Sequence, residues 1–150
     1  MNVQTHVMPI SPANTLGLDY REEAARLPWR GRIDDVHAHI VDLPAARLFF
    51  EVADLFGVER VWSMTQLEQV DAIRAEFGDR IEFIAIPNYM AKDEPETFTT
   101  DWLRRIEAFA EKGSRLCKFW AAPRGRDFHP DALLLDSPVR RDAMKLARSL

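Results

Sequence analysis

The sequence predicts an α/β fold in which four successive β/α units build a parallel sheet. Three observations carry this. Short apolar runs of strand length alternate with longer stretches of helical period. Three of the helical stretches stop at a glycine, Gly57, Gly78 and Gly113, the residue suited to a left-handed C-terminal cap. No two strands are joined by a hairpin turn, so each strand returns through a helix, which calls for parallel strands and right-handed crossovers. The 150 residues suit one domain, read as an arm with a short helix over 1–30 and the β/α series over 31–150.

Residues 1–17, with Pro9, Pro12 and Gly17, read as an irregular arm. Asp19 followed by Glu22 has the spacing of a capping box and predicts a short helix through Leu27, ended by Pro28, with Trp29 packing on the body. The first strand is 33–40, followed by a loop around Asp42 and Pro44 and an apolar helix over 45–56. The second strand is 58–65. Leu67, Val70, Ile73 and Phe77 then recur at helical spacing. The third strand is 81–87 and the third helix of the series 101–112. The fourth strand is 115–121, followed by a polar loop with Pro123, Gly125 and Pro130. Ser137-Pro138 reads as an N-cap with proline in the first turn of a last helix running to Leu150. The first three strands are close to continuously apolar, as expected of a parallel sheet covered by helices.

Composition excludes several function classes. A net charge of −4 with acids and bases interspersed leaves no electrostatic footprint for nucleic acid or an anionic membrane. One cysteine, Cys117, excludes an internal disulfide and a cysteine zinc cluster. Residues 1–30 lack the apolar core of a signal peptide, so a cytoplasmic protein acting on a small molecule is the expectation.

The chemistry is expected at Asp35-Val36-His37-Ala38-His39, which closes the first strand. Strand side chains alternate, so Asp35, His37 and His39 share a face, with the histidines roughly 6.6 Å apart along the strand. That spacing lets two ring nitrogens converge on one metal ion. Either an open doubly wound sheet or part of a (β/α)8 barrel satisfies the alternation, and in both the carboxyl ends of the strands carry the site. The loop after His39 has no glycine, and no Walker-type loop occurs, which removes dinucleotide and P-loop functions.

An aspartate and His-x-His closing the first strand of a β/α series resembles the signature of the amidohydrolase superfamily, and most of all its amidohydrolase-related branch of metal-dependent hydrolases and decarboxylases. The resemblance covers residues 33 to about 150. It implies a TIM barrel of which this chain holds four of eight units, a divalent metal, zinc by preference, and His37 and His39 as its first two ligands with Asp35 as the leading acid. The family's other ligands come from later strands, so the isolated chain is expected to bind metal weakly. Hydrolysis of a C–N or C–O bond and decarboxylation stay open, as does a non-catalytic half barrel whose unpaired edges favour self-association.

The other candidates are weaker. Lys118 in the fourth strand reads as a substrate or barrel-mouth lysine, or, by the resemblance, a carbamylated metal bridge. His129 follows in a loop where Arg124 and Arg126 form a possible clamp for a substrate carboxylate. Asn88 and Tyr89 are rim candidates after the third strand. Trp62 and Trp120 read as packing residues, Cys117 as core, and His6 as inert.

Overall fold

A computed structural model of the chain describes residues 14–27, 31–120, 127, 131 and 134–150. The described elements run α1 (Tyr20–Arg26), β1 (Ile33–Ala38), α2 (Leu43–Phe56), β2 (Val58–Ser63), α3 (Val70–Phe77), β3 (Ile81–Ala85), α4 (Thr100–Glu111), β4 (Leu116–Cys117) and α5 (Pro138–Ser149). The four strands form one sheet in the order β1-β2-β3-β4, every neighbouring pair parallel. The sheet curls as half a barrel. A doubly wound sheet reverses its strand order at a switch point; the order of the four described strands does not reverse.

Local chemistry explains the element ends. The Asp42 carboxylate accepts the Ala45 N–H at 2.8 Å, so α2 starts at Leu43 and includes Pro44 in its first turn, two residues before the start expected from periodicity. Gly57 then caps α2 with φ 75°, and a Cβ there would lie 3.3 Å from the Gly31 carbonyl oxygen. Asp19 and Ser137 cap α1 and α5 as the sequence predicts. The stretch expected as one helix from Leu67 is a 3-10 turn, Leu67–Gln69, leading into α3. A further 3-10 turn, Tyr89–Ala91, is built by the Asn88 side chain, which accepts the Met90 N–H at 3.2 Å.

Each strand is shorter than its apolar run. β2 and β3 end at Ser63 and Ala85, and β4 keeps two residues; just past these ends the Met64 and Lys118 N–H groups still bond the neighbouring strand, and side chains add to them. Ser63 Oγ accepts the Ile40 N–H at 3.0 Å, and Thr65 Oγ1 donates to the Ile40 carbonyl at 2.8 Å. β1 is an edge strand, and only Ala38 of its six residues is buried, contrary to the buried strand expected.

Strand alternation sorts the sheet into two faces. Val61, Ser63, Ile81, Phe83 and Ala85 face the helices, where they pack with Phe50, Val70, Ile73, Ile106 and Phe109 in the core. His37, His39, Met64, Ile84, Ile86, Leu116 and Lys118 fall on the opposite, concave face. Arg105 of α4 is buried between core and rim. Its guanidinium donates to the Ile86 carbonyl and to the Gln66 and Glu68 side chains, tying α4 to the loops that follow β2 and β3.

Candidate functional site

The carboxyl ends of the strands bring His39, Met64, Ile86 and Lys118 into one layer across the concave face, and these residues line a pocket of about 390 Å³. Tyr89, Lys92, Phe98 and Trp120 complete its wall. The layer follows from register. The Met64 N–H donates to the Ala38 carbonyl at 2.9 Å, and the Lys118 N–H to the Ala85 carbonyl at 3.0 Å, which sets His39 beside Met64 and Lys118 beside Ile86. Across the curl, the Lys118 ammonium reaches the Met64 thioether at 3.0 Å.

His37 and His39 share this face with ring centroids 5.3 Å apart and planes inclined by 54°. Two imidazoles holding one zinc at roughly 2.0–2.1 Å, near a tetrahedral angle, have centroids about 5 Å apart. The separation of the rings is close to that value. Burial first, then the Lys118 ammonium, then His37, hold His39 below the ordinary histidine value. The imidazole is then neutral at pH 7, the form that ligates. The Asp35 carboxylate accepts the backbone N–H of His37 at 2.9 Å, fixing the turn of the chain into the pair. Among the described residues no group of three His, Cys, Asp or Glu side chains is placed to hold a metal. The two histidines are fewer than the three protein ligands a catalytic zinc takes.

Other expected residues divide into three groups. Lys118 converges with His39, although the two lie 79 positions apart in the chain. Asn88 sits at the rim with its side-chain oxygen engaged in the turn that presents Tyr89. Arg124, Arg126, His129, His6 and Trp29 lie outside the described residues. Cys117 faces away from Lys118, and burial pushes its thiol up to about 12, which agrees with a packing role. Trp120, expected to be a packing residue, stands edge-on to Tyr89 and also walls the pocket.

Sequence reasoning missed Phe98, Arg105 and Arg140. The run Phe98-Thr99-Thr100 reads as a polar lead into a helix, and arginines within a helix read as solvated. The only signal for Arg140 is its place in the first turn of α5, where basic residues are disfavoured by the helix dipole. Comparison of the chain with protein-family models, with curated proteins and with solved structures finds no match.

Proposed function

We propose that this chain carries the first two metal ligands of a metal-dependent hydrolase, with its four β/α units forming half of a (β/α)8 barrel. What supports the reading is a single arrangement: two histidines with ring centroids 5.3 Å apart at the carboxyl end of β1, of which His39 lines a pocket that also contains Lys118. A bound divalent cation, zinc by the preference of nitrogen donors, supplies an activated water and a polarised carbonyl. His39 stays neutral beside the Lys118 charge and so remains a ligand, while Lys118 holds an anionic part of the substrate. Ile86, Phe98 and Trp120 exclude water around it. Decarboxylation is the second reading, favoured by the position of Lys118 beside His39, where an ammonium holds a carboxylate close to the histidines. The substrate is a small molecule, and no helix among the described residues is long and apolar enough to cross a membrane.

Cobalt(II), a spectroscopic stand-in for zinc, tests the metal site. Titration is expected to give ligand-field absorption with micromolar or weaker affinity, because two imidazoles are an incomplete set. His37→Ala and His39→Ala each abolish it without changing the far-UV circular dichroism. A double variant that binds cobalt as the parent does overturns the reading.

The edges of the sheet support one further expectation. Val36 in the edge strand β1 and Leu116 in β4 are both exposed apolar residues. A second copy that pairs β1 with the β4 of its partner, and the reverse, covers both edges and completes eight strands. Light scattering at micromolar concentration then reports a dimer. A strict monomer removes self-association from the proposal and leaves the metal pair as it stands.

A further inference from the structure

Beside the pocket lies a second, small void of about 10 Å³, room for one water or one ligand oxygen. The two spaces meet at Tyr89, Phe98, Lys118 and Trp120. Arg140 of α5 forms the far wall of the void. Its residue is 5 % exposed. One terminal nitrogen, Nη2, donates to the Trp120 carbonyl. The other, Nη1, is buried and has no hydrogen-bond partner among the described residues.

An unpaired guanidinium nitrogen at such depth is costly, because a buried donor that loses water must find an acceptor. Charge sharpens the point. Lys118 shares the void with Arg140, and its side chain meets only the weak acceptor sulfur of Met64 among the hydrogen bonds of the described residues. No aspartate or glutamate lines either space. Every acid of the chain lies within the described residues, so the remaining residues bring no carboxylate to the site. Tyr89, pushed up to about 12 by burial, is a neutral phenol at physiological pH. A water fits the void but leaves both cations without a counter-charge.

We propose that Arg140 and Lys118 form an anion subsite that takes the carboxylate of a small ligand, with the ligand's apolar body against Phe98 and Trp120. Arg140 does not line the larger space, and His39 does not line the smaller one. A carboxylate held by Arg140 is therefore an anchor at one end of the ligand, while the histidines face the other end. This orientation favours cleavage of a C–N or C–O bond over loss of the carboxylate. The inference rests on reading this space as the substrate pocket and is independent of the metal.

Benzoate and benzyl alcohol, matched in shape and different in charge, are the probes, titrated calorimetrically with EDTA present so that metal plays no part. Benzoate is expected to bind at least tenfold more tightly than the alcohol. Arg140→Gln and Lys118→Met each weaken benzoate by tenfold or more and leave the alcohol unchanged. Equal affinity for the two probes in the parent chain overturns the proposal, as does parental benzoate affinity in a folded Arg140→Gln chain. If circular dichroism shows that Arg140→Gln does not fold, Lys118→Met decides, with unchanged benzoate affinity again overturning it. Failure here leaves the cobalt result untouched, and failure of cobalt binding leaves this one untouched.

Discussion

Replacing Arg105 with methionine is expected to lower the stability of the chain by about 2–3 kcal/mol, the scale of lost hydrogen bonds to a charged group together with a buried acceptor left unpaired. Methionine keeps most of the side-chain volume, so the loss reports polar ties more than a cavity. Arg105 is 1 % exposed, and its guanidinium charge is met by Glu68 at 2.6 Å. The Glu68 side chain is 60 % exposed, so its own charge is returned to water in the variant and adds little penalty. The larger cost falls on the Ile86 carbonyl and on the Gln66 loop, which lose the group that joins them.

The same pair predicts a pH dependence. The hydrogen bond from Arg105 holds the Glu68 carboxyl below its usual value, against an opposing push from burial. A depressed carboxyl contributes stability that is present above the unfolded value, near about 4.3, and is lost as pH falls through the folded value. Urea unfolding of the parent chain therefore weakens more steeply below about pH 4.5 than that of Arg105→Met. A variant within about 0.5 kcal/mol of the parent, with the same acid slope, would show that Arg105 merely fills space.

Thr65→Val is expected to cost about 1–3 kcal/mol and to weaken cobalt binding about tenfold or more. Valine has the shape of threonine but no hydroxyl. Thr65 Oγ1 donates to the Ile40 carbonyl at 2.8 Å and sits 2.9 Å from Ser63 Oγ, which in turn accepts the Ile40 N–H. Ile40 follows His39 directly, so this hydroxyl pair fixes the backbone where the β1 ladder has already ended. Without it the imidazole of His39 is free to leave its position relative to His37. Thr65→Ser keeps the hydroxyl and is expected to restore the affinity with a smaller loss of stability. Parental melting temperature and cobalt affinity in Thr65→Val would contradict the positioning role.

Particular residues show what a linear chain can reveal. Strand alternation alone puts His37 and His39 on one face, because side-chain period in a strand is independent of what surrounds it. The caps at Asp42, Gly57 and Ser137 are legible for the same reason, since each satisfies backbone groups within a few residues of itself. The order of strands and helices follows from local periodicity, and the absence of hairpin turns makes the sheet parallel.

What lies around the histidines was decided elsewhere. Lys118 meets Met64 across a gap of 54 residues, and the aromatic wall comes from loops after β3 and β4. Such convergence depends on how far the sheet curls and on the register of each pair, which summed packing of the helices sets and no local pattern records. Arg105 and Arg140 lay within helical stretches, where arginine ordinarily points to water, and only the packed structure turned them inward. Sequence by itself thus determined the unit of architecture and the shared face of the two histidines, because both depend on chain geometry a few residues long. Tertiary structure alone decided the pocket, the approach of Arg140 and Lys118 beside it and the ties that hold them, because those depend on contacts between residues far apart in the chain.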